Sequence, residues 1–483
     1  MRIAINDHRA MKLIVGNSLF ALGLVLGLSL QVSAQDNNSQ TVQTTGDEQL
    51  PDQDSGTGQT PQSPHAGGTD PNLPQPESKA AALSGTPVFP TQDSEEVKER
   101  KFVAPDVPEK VTRWTSYSDR YFTVRFGLAV LADYNAFWQD TDSVTQVGVQ
   151  RDQWNDRSTR FMLSGGIGPE SYRVHYFASY AWNGFDAPQN KKPYWNFSDL
   201  IFTFPVGKLG AITFGKNKES FIYEMVGDAP FLPSLERVLN PFFTSRNVGV
   251  TLSNTLFEKR VTYSGGWYND WWVQKRSFDG SSNHFAARVT GLVSINEEGS
   301  RYLHVGAGVR YAGATDGFVQ LRGKPESDVT SNYVDTGNIA ASNQKEFGLE
   351  GLWNHDNFSV LTEYVRSYVN ATQFANPSFY GVYVTGSWII TGEHRPYDRN
   401  VGFARRLIPE HRWGAFELAA RYSRLDLDNK SVHGGVMDKG LLDFSWYPNR
   451  WWRFAIAGGF TSLNRVGLTG YTTALQTRIQ FVY

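Results

Sequence analysis

The sequence predicts an all-β fold: a transmembrane antiparallel β-barrel of about 16 strands with an inturned constriction loop, preceded by a signal peptide and a disordered linker. Three observations predict it. Apolar and polar residues alternate in segment after segment from about Tyr121 to Tyr483. Aromatic residues, 14% of the chain with 14 Trp, crowd the apolar register. Beyond the first residues, no segment approaches the roughly 20 apolar residues that a spanning helix needs. In the last segment, Leu475, Ile479, Phe481 and Tyr483 share one face, and Gln476, Arg478 and Gln480 share the other. A lipid-facing wall around a polar lumen accounts for all of this, including a mean hydropathy of −0.41, because only alternate residues meet lipid.

Residues 1–34 read as a signal peptide: Arg2, Arg9 and Lys12 supply positive charge, Leu13 to Leu30 an apolar stretch, and Val32-Ser33-Ala34 a small-residue cleavage site. Met11 is an alternative start, since Met11-Lys12 already opens a complete signal. Residues 35–112 are rich in Gln, Pro, Ser, Thr, Gly and Asp and hold almost no aromatic residue before Phe89. Such a segment cannot bury enough apolar surface to fold alone, and it reads as a disordered periplasmic spacer. Residues 113–483 form the barrel domain. Strands are expected at 121–138, 157–167, 170–183, 195–205, 209–217, 245–256, 259–270, 282–296, 300–313, 343–355, 357–369, 378–393, 412–427, 434–448, 450–464 and 471–483. Short turns such as Gly168-Pro169, Phe257-Glu258 and Asp356 alternate with longer connections such as 139–156, 218–244 and 314–342. That alternation separates periplasmic turns from extracellular loops, and an even strand number returns both ends to the periplasm. The long connection 394–411 breaks the alternation and is expected on the periplasmic side.

Several classes of chemistry are excluded or unsupported. The chain has no Cys, so thiol catalysis, Cys-ligated metals and disulfides are ruled out. A formal net charge of −2 without a basic run does not suggest nucleic-acid binding. His284, His304 and Glu363 could serve a hydrolase, but no Gly-x-Ser-x-Gly or His-Glu-x-x-His motif accompanies them. Asp426-x-Asp428 reads as a solvated loop edge rather than a calcium site, and no cofactor is implied.

Taking the apolar register as lipid-facing sends the other register into the lumen. Val124, Phe126, Leu128, Val130 and Tyr134 then face out, leaving Arg125 and Asp133 inside. The same argument places Arg160, Arg173, His175, Arg288, His304, Arg310, Arg421, Arg453 and Arg478 inside, against Asp133, Glu417 and Asp443 as the clearest inward acids. Arginine is thus expected to outweigh carboxylate on the wall, and fixed guanidinium in a narrow lumen attracts anions. The alternative is a charge-neutral lumen in which inward Arg only pairs with inward Asp and Glu. The connection 218–244 is too apolar to float in water: Phe221, Ile222, Met225, Phe231, Leu232, Leu235 and Leu239 need burial. Folded into the barrel, it brings Lys216, Lys218, Arg237 and Arg246 near the permeation path. It also carries Glu219, Glu224, Asp228 and Glu236, so its local charge is mixed.

Phe214-Gly-Lys-Asn-Lys-Glu-Ser-Phe221, Leu235-Glu-Arg237, Ser245-Arg-Asn-Val-Gly-Val250, the run from Phe379 to Tyr397, the run from Gly414 to Leu427 and Trp446-Tyr-Pro-Asn449 follow in order along the chain. Together these blocks resemble the phosphate-selective porin O and P family over roughly 120–483. The resemblance implies an outer-membrane porin of Gram-negative type, a homotrimer of such barrels whose inturned loops form an anion-selective constriction. Small anions such as phosphate are the implied permeants. It makes Lys216, Lys218 and Arg246 candidate constriction residues and Arg421 a candidate wall residue. The acids between 219 and 236 keep a general or cation-leaning diffusion porin open as the alternative. Ile479, Phe481 and Tyr483 form the alternate-residue aromatic ending that barrels of this kind present to their insertion machinery.

Overall fold

Alternating β-branched and aromatic residues suit a pleated surface with one apolar face, and here they build sixteen long strands. The computed structural model describes residues 111–113, 115–182 and 194–483. The signal peptide expected at 1–34 and the spacer expected at 35–112, up to residue 110, lie outside the described residues. The barrel strands are β1 (Phe122–Gln139), β2 (Gln153–Ile167), β3 (Val174–Trp182), β4 (Trp195–Pro205), β5 (Ala211–Asn217), β6 (Asn247–Leu256), β7 (Val261–Asn269) and β8 (Asn283–Ile295). They continue as β9 (Arg301–Gly313), β10 (Asn343–His355), β11 (Phe358–Asn370), β12 (Ser378–Ile389), β13 (Ala415–Asn429), β14 (Val432–Tyr447), β15 (Trp452–Arg465) and β16 (Leu468–Val482).

Each strand pairs antiparallel with the next, and β16 returns to β1 from Thr472↔Gln139 to Val482↔Ala129. Closure leaves no long edge to be satisfied by lipid, which cannot hydrogen-bond. A short hairpin, Val111–Arg113 with Ser116–Ser118, pairs onto β1 and overlaps the last residues of the expected spacer. Most outward positions are apolar, with aromatics toward both rims: Trp353, Phe358 and Trp388 at one, Tyr311 and Tyr368 at the other. The Phe358 and Trp388 rings stack 5.6 Å apart across the pair.

The lumen is far from empty. The third loop, after β5, folds inward as its apolar content requires, burying Phe221, Ile222, Leu239 and Phe242 completely. Two further connections join it. Leu321, Tyr333 and Ile339, between β9 and β10, and Phe403, between β12 and β13, are buried in the same apolar cluster, against inward residues of β8 to β15. The connection 394–411, expected only to lie on the periplasmic side, therefore turns into the barrel, and 314–342 does the same from the opposite rim.

Two wall glycines make room for the third loop. A Cβ on Gly308 would stand 1.9 Å from the Phe221 carbonyl oxygen, and one on Gly348 would stand 2.4 Å from Ile222. Gly308→Val is accordingly expected to unseat the loop and raise single-channel conductance in planar bilayers. Unchanged conductance would show that the loop tolerates displacement without opening the path.

Candidate functional site

The site follows from how the third loop is held. Asn217 ends β5 facing inward, and the chain continues through Lys218 and Glu219 across the lumen. Glu219 accepts from Arg310 Nε at 2.5 Å and from Asn247 at 2.7 Å. Glu224 accepts the backbone N–H of Val238 at 3.0 Å and of Leu239 at 3.1 Å, closing the loop on itself. The Glu224 N–H donates to Glu363 of β11 at 3.0 Å, and the Tyr383 hydroxyl donates to the same carboxylate at 2.5 Å. Arg421 of β13 reaches the Glu236 carbonyl at 2.9 Å and the carboxylates of Glu326 at 3.1 Å and Glu224 at 3.4 Å. Arg453 donates to the Leu232 carbonyl at 2.9 Å. Arg478 donates to the Leu235 carbonyl at 2.7 Å and to Asp133 at 2.6 Å.

Most inward arginines thus work as fasteners. Arg288 pairs with Glu350 at 2.5 Å and donates to the Gly402 carbonyl at 2.7 Å, tying the β12–β13 connection to the wall. Arg310 pairs with Glu346 at 2.7 Å as well as with Glu219. The expected surplus of arginine over carboxylate fails on this side of the barrel, because Glu346, Glu350 and Glu363 also face inward and are buried. A charge removed from water is tolerated only when paired, so buried guanidinium brings buried carboxylate with it.

A cavity of 60 Å³ lies on the other side, between β1–β4 and loop residues 228–237. Arg157, Arg160, Lys218, Arg237, Arg246 and Arg478 border it, with Asp228 and Glu236. Glu236 receives Arg157 Nε at 2.6 Å and Arg478 Nη2 at 2.7 Å. Arg246 donates to Asp199 at 2.9 Å. Lys218 donates to the Val226 and Gly227 carbonyls, both at 3.0 Å, and to Asp228 at 3.2 Å. Burial pushes the Lys218 ammonium down to about 7, against the opposing pull of Asp228. Burial alone would raise the Glu236 carboxyl, but Arg157 and Arg478 hold it at about 2.

Three of the expected constriction residues, Lys218, Arg237 and Arg246, therefore meet at one place, and the wall residues Arg160 and Arg478 join them. Lys216 does not. It pairs in register with Leu200 and Val248, beside outward Phe214 and Val250, so its side chain leaves the barrel. There its ammonium donates to the Phe197 carbonyl at 2.7 Å and sits 5.9 Å from the Trp272 ring centre. Arg173 is also displaced from the wall: it precedes β3 and donates to the Gly168 and Arg120 carbonyls at the turn. Arg125 faces inward, half-buried, in register with Ser164 and Ser116. Arg157 is the residue that sequence reasoning misses. Alternation from outward Phe161 sends it to lipid, but it is the extra residue of a bulge where Leu131↔Ser158 is followed by Ala132↔Asp156, and it turns inward.

A sequence model of the phosphate-selective porin O and P family matches residues 129–483. A curated Caulobacter vibrioides protein, described as uncharacterized, is 27% identical over 169 residues, 33% of this chain; the chain spans 34% of the length of that relative. The anion-selective porin from Comamonas acidovorans is 12% identical, with 75% of this chain and 100% of that chain covered and a TM-score of 0.48. The outer membrane channel DcaP of Acinetobacter baumannii is 11% identical, with 76% and 99% covered and a TM-score of 0.48.

Proposed function

Because the chain belongs to the phosphate-selective porin O and P family, we propose that this outer-membrane porin passes small solutes by diffusion and prefers anions, phosphate among them. The supporting observation is the cavity between β1–β4 and the third loop, where six cationic side chains border the space against four carboxylates, Asp228 and Glu236 on its lining and Asp133 and Asp199 paired with Arg478 and Arg246. Charges in a narrow, low-dielectric opening act on a permeant far more strongly than the same charges in bulk water. Several adjacent cations also let an anion exchange from site to site and leave again.

The reversal potential of the purified protein in planar bilayers under a KCl gradient tests this reading. Anion selectivity reduced by Lys218→Glu with Arg246→Glu supports the assigned residues, and block by phosphate at low concentration extends it to a phosphate site. Cation selectivity would favour a cation-leaning diffusion porin, the reading motivated by Glu219, Glu224, Asp228 and Glu236. The Lys218 ammonium titrates at about 7, and its charge is present below that pH and lost above it. Anion preference is therefore expected to fall as pH rises through neutrality.

The wall also bears on assembly. β5 has seven residues and β3 and β7 have nine each, at or below the 9–11 or so that span a hydrocarbon layer. A neighbouring copy shields so short a wall better than lipid does, which supports a homotrimer joined on this side. Export through residues 1–34, and capture of Ile479, Phe481 and Tyr483 by the barrel-insertion machinery, complete the proposal.

A further inference from the structure

Inward positions of a water-filled barrel are ordinarily polar, and those next to the charged layer on β1–β4 are not. Leu131 of β1, Met162 of β2, Phe177 of β3, Ile201 of β4 and Val482 of β16 form one buried apolar cluster with Phe231 of the inturned loop. The registers set this sleeve on the periplasmic side of the charges: Asp133 pairs with Arg478, then Leu131 with Gln480, then Ala129 with Val482. The cationic side chains and most of the sleeve border the same cavity of 60 Å³, so a solute there touches both. A further cation stands beside the sleeve. Arg406, from the β12–β13 connection, lies 5.1 Å from the Phe231 ring centre and donates to the Val482 carbonyl at 3.1 Å.

A compact hydrophilic anion gains from the cations but must shed water against a sleeve that offers it no hydrogen bonds. An anion with an apolar tail gains from both surfaces. We infer that the passage favours amphipathic organic anions, carboxylates bearing an aromatic ring or a short alkyl chain, over phosphate or acetate. The inference rests on the anion-conducting reading above and narrows its permeant class. The carboxylate lies toward Arg157, Arg160 and Arg246, and the tail lies along Leu131, Met162 and Phe177. Each methylene that the sleeve buries is worth roughly fourfold in affinity.

The experiment adds acetate, butyrate, hexanoate, benzoate and phosphate in turn to the purified protein in planar bilayers and records block of the KCl current, alongside the reversal potential. Hexanoate and benzoate are expected to block at concentrations at least about tenfold below acetate and phosphate, with block strengthening along the alkyl series. Replacing both Met162 and Phe177 by Ser, residues of the ordinary luminal kind, is expected to bring benzoate back to the acetate level. Equal block by every carboxylate in an anion-selective pore overturns the inference, reduces the sleeve to a seat for Phe231 and leaves the anion reading standing. Cation selectivity in KCl overturns both. The alkyl series uses the unaltered protein, so it decides the matter even where the double variant does not assemble.

Discussion

Glu236→Gln is expected to turn a moderate anion preference into a strong one. Glu236 stands at the passage and neutralises two guanidinium groups at once, Arg157 at 2.6 Å and Arg478 at 2.7 Å. The amide keeps an acceptor for one of them and removes the negative charge. Arg478 remains paired with Asp133 at 2.6 Å, so the wall persists while Arg157 is left far less compensated. At an effective dielectric constant of about 20, a unit charge 4 Å away is worth about 4 kcal/mol. Water and salt in the passage screen most of that, leaving an expected rise of roughly tenfold in the chloride-to-potassium permeability ratio, about 1.4 kcal/mol. The reversal potential reads it directly. An unchanged ratio in a correctly assembled variant would mean that ions cross the barrel elsewhere.

Arg421→Ala is expected to open the pore and weaken the protein together. Arg421 is completely enclosed, lies 4.6 Å from the Tyr383 ring centre and connects three structures: the wall, the third loop through Glu224 and the Glu236 carbonyl, and the β9–β10 connection through Glu326. Removing one partner of a buried ion pair costs about 3–5 kcal/mol, because the remaining carboxylates stay desolvated. The loops should detach toward water, raising single-channel conductance severalfold and lowering the thermal midpoint of the detergent-solubilised barrel. Wild-type conductance together with a wild-type midpoint would remove Arg421 from the role of anchor.

Strand alternation was legible in the sequence because lipid enforces it at every turn of the wall. The segments expected at 195–205 and 343–355 coincide with β4 and β10, and the third loop was recognisable from apolar residues with no strand to occupy. Other features depend on partners distant in sequence, which local pattern does not carry. Arg157 turns inward through a single inserted residue, and nothing in Gln153–Ile167 marks the bulge. Lys216 follows the plain alternation from Phe214 and leaves the barrel, so the register was the better guide there and the family resemblance the poorer one. Glu346, Glu350 and Glu363 occupy ordinary luminal positions, but their pairing with Arg310, Arg288 and the third loop appears only when the barrel closes. The inward course of the β12–β13 connection rests on contacts such as Arg395 with the Phe231 carbonyl at 2.8 Å, 164 residues apart in sequence.

The fasteners of the third loop also set an order of events. The loop follows β5, but most of the arginines that grip its backbone come from β13, β15 and β16, and Arg395 and Arg406 reach it from the connection between β12 and β13. Arg157 of β2 and Arg310 of β9 can meet Glu236 and Glu219 early, but until the C-terminal strands are in place the carbonyls of Leu232, Leu235 and Glu236 lack the guanidinium groups that hold them. These are contacts of very long sequence separation, the slowest kind to form. Full seating of the loop is therefore a late event, coupled to the joining of β16 to β1. A truncation from the C-terminal side would release the loop and the closing seam in the same step.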